Sequence, residues 1–97
     1  MKIWSRSRNS SRQVVNGRVE LDSEGQTAFL DYAYDGSVLE LIHTEVPEKL
    51  LGKGIASELA HTALEWARKN NAKVDVICPS VSKYLRDHQE YADLVMK

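Results

Sequence analysis

One cysteine, Cys78, stands in the 97-residue chain, so no internal disulfide can form and nothing marks an oxidising compartment. Proline is nearly as scarce: Pro47 and Pro79 are the only two, and each closes a strand-like run. No apolar run approaches the ~20 residues needed to cross a bilayer, so no membrane span is expected. The opening stretch MKIWSRSRNSSRQ has no apolar core and does not read as a secretory signal. Taken together, these absences predict a cytoplasmic setting.

A surplus of one charge is missing too. Thirteen basic residues against 14 acidic ones leave a formal charge of -1, which argues against a sequence-independent nucleic-acid binder. Three dispersed histidines and the lone cysteine show no zinc-ligand spacing, so no metal is expected. The Gly-x-Ser-x-Gly elbow of serine hydrolases is also absent.

What remains is an ordinary globular composition in a chain long enough for one modest core. The reading is a single domain over 1–97, with residues 1–12 a loosely ordered arm that Ile3 and Trp4 are the candidates to anchor. Arg18–Asp22 alternates and runs into a Ser-Glu-Gly turn. Gln26–Tyr34 is aromatic-rich and leads to Asp35-Gly36, a hairpin signal; Ser37–Val46 then resumes as a strand up to Pro47. These three runs predict an antiparallel meander.

The period then changes from two to 3.6. Ile55, Ala56, Leu59, Ala60, Ala63, Trp66 and Ala67 share one arc, while Glu58, His61, Glu65, Arg68 and Lys69 fall opposite. His61 on that polar face reads as solvated. Lys73–Cys78 is β-branched and predicts a strand parallel to the previous one, reached by a right-handed crossover. A second, shorter helix follows over 80–88, with Ser80 its expected N-cap, and the tail adds a last turn or an edge strand. The fold class is α+β: a meander running into one parallel βαβ unit.

Between Val46 and the long helix lies Leu51-Gly52-Lys53-Gly54-Ile55-Ala56. Glycine is costly in a helix, so two at its start need a reason. One is an anion: a helix N-terminus presents unpaired N–H groups, and glycines let phosphate oxygens approach them. The other is a tight strand-to-helix turn. A Rossmann fingerprint is excluded because Ser57 stands where its third glycine belongs, and a Walker loop because Gly54 follows Lys53.

With His43–Pro47 (HTEVP), this turn, Cys78-Pro79, Tyr84 and His88–Tyr91 (HQEY) in order, the chain resembles the small single-domain branch of the GNAT superfamily of N-acetyltransferases. The likeness spans roughly 25–95. It departs at Leu51, where the superfamily has Arg or Gln, and at Gln89, where the branch commonly has proline. The resemblance implies acetyl-CoA as cosubstrate, its diphosphate on the amides of Gly52 to Ala56. Its pantetheine arm would lie in a V-shaped opening between the strands ending at Val46 and Cys78. Val46, Leu51, Gly52, Lys53, Gly54, Ile55 and Ala56 are therefore the candidate coenzyme-binding residues, with Lys53 the only cation among them.

Acetyl transfer to an amine needs a base, oxyanion donors and an acid for the departing thiolate. His43 and Glu45 alternate on one strand, so either is a candidate base; otherwise His43 stabilises the strand and Glu45 faces water. Tyr84 resembles the tyrosine that protonates the thiolate in many members. Cys78 offers a nucleophile for an acyl-enzyme, though a lone cysteine is more often a small buried hydrophobe, and Pro79 removes a nearby N–H that would lower its pKa. The implied function is direct acetyl transfer to an amine by a monomer or weak homo-oligomer. The alternative is a CoA- or acyl-CoA-binding module with little catalysis.

Overall fold

The structure is a computed structural model that describes residues 2–7 and 15–96, the former by backbone alone. One five-stranded sheet runs in chain order. Its strands are β1 (Lys2–Ser7), β2 (Val15–Ser23), β3 (Gln26–Tyr34), β4 (Val38–Glu45) and β5 (Lys73–Val76). The first four pair antiparallel and β4–β5 pair parallel, joined by helix α1 (Ile55–Lys69). A second helix, α2 (Pro79–Asp87), and a 3-10 helix over Gln89–Leu94 complete the chain. This is the mixed GNAT-like fold that the resemblance implied.

Two expectations need correction, and a third is met. Residues 2–7, read as part of a loose arm, form β1, the edge strand against Lys2↔Leu21 to Ser7↔Asn16. Their polar Ser-Arg composition hid an edge strand, which needs no apolar face on both sides. The candidate anchors Ile3 and Trp4 lie on β1, and their side chains fall outside the described residues, as do residues 8–14. The N-cap of α2 is Cys78 rather than Ser80, because Pro79 occupies the first helical position, where its missing N–H costs nothing. The tail supplies both features at once: the 3-10 helix, then a parallel bridge Val74↔Val95.

The hairpins follow local chemistry. Ser23 pairs with Gln26 across Glu24 (φ 52) and Gly25 (φ 75), two positive values in the two-residue turn that matches strand twist. At the next turn Asp35 Oδ1 accepts from the N–H groups of Ser37 (2.9 Å) and Val38 (2.8 Å). Those donors hold the Asp35 carboxyl below its usual range.

The core lies between one face of the sheet and α1. Leu59, Ala60, Ala63, Leu64 and Ala67 of the helix are buried against Val19, Leu30, Leu39, Leu41 and Val74 of the sheet. Trp66 sits at its margin, edge-on to Tyr34 at 4.9 Å. Leu64 lay off the predicted arc; burial on that flank comes from α2 and the 3-10 helix, which widen the apolar stripe.

Candidate active site

Strand β4 changes partner midway. It pairs with β5 from Val38↔Lys73 to Leu41↔Val76, and there the ladder stops. The Leu41 carbonyl accepts from both Ile77 and Cys78 N–H, each at 2.9 Å. Beyond it β4 continues to Glu45 paired only with β3, while the chain turns into α2. The two parallel strands therefore part after Leu41 and Val76.

A bulge lies at the same point. Leu41 faces Tyr32 and His43 faces Asp31, so Ile42 is the extra residue. The extra residue shifts the alternation by one. Thr44, opposite buried Leu30, joins the helix side of the sheet, while His43 and Glu45, opposite Asp31 and Phe29, face the other side. Without the bulge His43 and Glu45 would share the buried face of Leu39 and Leu41.

On the helix side Thr44 Oγ1 meets Cys78 Sγ at 3.0 Å across the opening. Cys78 is buried, as a lone cysteine usually is. Burial pushes its thiol up, but hydrogen bonds from Thr44, the Val81 and Ser80 N–H groups and the Ser80 side chain outweigh it, leaving the thiol below its ordinary value. The sequence argument from Pro79 is thus corrected. The N-cap position aims the next two free N–H groups of α2 at the sulfur, an arrangement that favours thiolate.

The far side carries the other pair. His43 Nε2 lies 2.7 Å from Glu45 Oε1, both more than half exposed. A carboxylate can only accept, so Nε2 carries the hydrogen, and in the neutral ring Nδ1 is the acceptor. Phe29 stands 6.3 Å from the His43 ring, and the Arg18 guanidinium lies 3.7 Å over the Phe29 ring and donates to Asp31 at 2.9 Å.

The glycine turn leads from a 3-10 turn (Glu48–Leu50), whose Leu50 is fully buried, into α1. Gly52 (φ 81) and Gly54 (φ 74) are both left-handed, so the turn itself demands glycine. Apart from the flanking residues, no atom of the described residues lies within 4 Å of where a Cβ would stand at either one. The first helical bond is Glu58 N–H to Gly54 O, and among the described residues no acceptor meets the N–H groups of Gly52 to Ser57. The cradle is open and its donors are unspent, so a diphosphate fits there.

The side chains around the turn divide. Val46 and Ile55 pack against the core, whereas Leu51 is 61% exposed and contributes no charge. Lys53 is paired with Glu24 of the β2–β3 turn at 2.7 Å. Ala56 and Ser57 at the start of α1, with Ser80, Lys83, Tyr84 and Asp87 of α2 and His88 just past its end, line a groove of about 270 Å³.

Tyr84 is half-buried in that groove, its ring stacked on His88 at 3.9 Å and its hydroxyl 3.4 Å from His61 Nδ1. Burial raises its phenol, and Glu90, Glu65 and Glu58 raise it further, so the hydroxyl keeps its proton. Tyr91, the last residue of the HQEY stretch, to which the sequence reading gave no contact, meets the same His61 nitrogen at 3.1 Å and donates to Glu65. His61 is therefore not merely solvated. Its i, i+4 spacing to Glu65 was the available signal.

Residues 18–94 match the family model described as GCN5-related N-acetyl-transferase. The chain belongs to that family of acetyltransferases, as the fold, the parted strands and the glycine turn together indicate. It is similar to Protein NATD1 of Mus musculus, 35% identical over 79% of this chain and 71% of that protein. It also resembles Protein NATD1 of Homo sapiens (35%, over 72% and 63%) and of Danio rerio (30%, over 80% and 74%).

Proposed function

We propose that the chain transfers an acetyl group from acetyl-CoA to an amine by direct attack. The observation that carries this reading is the gap between β4 and β5 beyond Leu41–Val76, opening beside a glycine turn whose amides meet no acceptor among the described residues. In it, the N–H groups of Gly52 to Ala56 hold the diphosphate and the free β4 edge from Ile42 to Val46 pairs with the pantetheine arm. Lys53 joins by leaving Glu24.

The remaining steps are assigned to His43, Glu45 and Tyr84. The acceptor ammonium first gives one proton to water, and the resulting amine nitrogen attacks the thioester carbonyl carbon as His43 Nδ1 takes its second proton, Glu45 holding the ring through Nε2. The C–S bond breaks with its electron pair on sulfur, and Tyr84 gives that sulfur its proton, leaving CoA as the thiol. Coenzyme groove and base pair lie on opposite faces of the sheet and meet through the gap. This matches an acceptor arriving from the far face, where Glu40 and Asp75 stand in register and favour a cationic amine of a protein or polyamine.

A second reading rests on the lowered Cys78 thiol. Its thiolate would attack the carbonyl, displace CoA with the C–S electron pair, and yield the acetyl group to the amine in a second attack.

Thermal unfolding with acetyl-CoA tests the site: ligand at 100 times its dissociation constant stabilises by about 2.7 kcal/mol. No shift at millimolar coenzyme defeats the proposal. Thiol release with a panel of amines then separates an enzyme from a coenzyme-binding module.

A further inference from the structure

We infer that His61 is a positioning residue for the candidate acid Tyr84, donating its Nδ1–H to the phenol oxygen so that the phenol's own hydrogen is left free for the coenzyme sulfur. The inference rests on the acetyl-transfer reading above only for what that hydrogen then does.

The argument is a count of protons. Tyr91 Oη has one hydrogen and gives it to Glu65 Oε2, a carboxylate that can only accept. Its oxygen therefore offers nothing but lone pairs to His61 Nδ1, 3.1 Å away. A bare Nδ1 there would set two lone pairs against each other, so Nδ1 carries the hydrogen. That same N–H faces Tyr84 Oη at 3.4 Å and is shared between the two phenols. Tyr84 consequently accepts from His61 rather than donating to it. The ring is held from its face by His88, stacked at 3.9 Å with an interplanar angle of 12°, and His88 Nδ1 lies 2.9 Å from the Tyr84 carbonyl. With ring and oxygen both held, the hydrogen of Tyr84 is left to turn along the groove that Ala56 and Ser57 also line.

The surroundings suit a donor that must recover its proton. Glu58 and Glu65 of α1, together with Glu90 of the 3-10 helix, face the phenol and oppose its ionisation, and Arg68 lies 5.5 Å over the Tyr91 ring. When Tyr84 gives its proton to the sulfur, the phenolate is left against the His61 N–H. It then regains a proton from water, and the charges balance. Sequence alone did not foretell this, because the three residues come from α1, α2 and the 3-10 helix, 23 and 30 positions apart.

The test reads the tautomer first. Nitrogen-15 shifts of the neutral His61 ring in the whole chain should show Nδ1 protonated, and Tyr91→Phe should lose that preference. Finding Nε2 protonated and Nδ1 bare overturns the inference, whatever the turnover. The second measurement is kinetic. His61→Leu should lower kcat for thiol release roughly tenfold with KM for acetyl-CoA unchanged, a share of the ~10²–10⁴ that a positioned proton donor supplies. His61→Gln, whose amide N–H restores a donor, should recover part of it. Equal losses in both variants, or a change confined to KM, would count against the inference. A wild-type chain that releases no thiol with any amine refutes the acetyl-transfer reading and the kinetic role, while the tautomer still decides the hydrogen-bond assignment.

Discussion

Thr44 and Cys78 touch, hydroxyl to thiol at 3.0 Å, across two strands whose backbone pairing has already ended. That contact spans the parted strands on the helix side and lowers the thiol, so the two residues tie the shape of the gap to its chemistry. Thr44→Val should raise the Cys78 thiol and slow its alkylation by iodoacetamide at neutral pH, because only thiolate reacts. A rate profile identical to wild type would refute the contact's effect.

Cys78→Ala separates the two routes of acetyl transfer. Direct attack predicts thiol release close to wild type, since Tyr84 and His43 are untouched. An acyl-enzyme route predicts its loss, together with disappearance of an acetylated chain by mass spectrometry after mixing with acetyl-CoA alone.

His43→Ala should lower single-turnover thiol release by about 10²–10⁴ while leaving acetyl-CoA binding intact, the usual share of a general base. Glu45→Gln keeps an acceptor for Nε2–H but removes the charge, so its loss should be smaller. If Glu45→Gln is the more damaging of the two, the carboxylate is the base and His43 its support.

Gly54→Val tests the cradle against plain strain. At φ 74 a β-branched residue should cost about 1–2 kcal/mol and also abolish the thermal shift with acetyl-CoA. Gly25→Val, at φ 75 in the β2–β3 hairpin, should cost a comparable amount and leave the shift in place. Equal ligand responses in the two variants would show that the glycine turn does not touch the coenzyme.

Asp35 predicts a pH dependence. Hydrogen bonds from Val38 and Ser37 hold its carboxyl below the usual value, so the folded form binds its proton less readily than the unfolded one. The stability this contributes is present above the unfolded carboxyl value and fades as the pH falls through the folded one. Asp35→Ala should therefore lower the urea midpoint at neutral pH, and the gap from wild type should narrow in acid.

Much of the fold was legible where one period dominates. Strands β2 to β4, helix α1 and the Asp35-Gly36 turn read directly, because their side chains alternate or repeat against a single buried face. The edge strand β1 did not, since polar residues on an edge carry no such signal. His43 and Glu45 were legible as a pair on one face. Which face they take was not, because the bulge at Ile42 is visible only in the register with β3.

By itself the sequence determined the order of elements, the placement of two glycines at the head of the long helix, and the residue types available for proton transfer. Those follow from local backbone preference and from periodicity, both of which act over a few neighbouring residues. Tertiary structure alone decided where β4 and β5 separate, that the N–H groups beyond Pro79 reach the Cys78 thiol, and that Tyr84 and Tyr91 converge on one nitrogen of His61. Each of these depends on atoms brought together from distant stretches of chain, where hydrogen bonds and burial are settled by packing and not by neighbours in sequence.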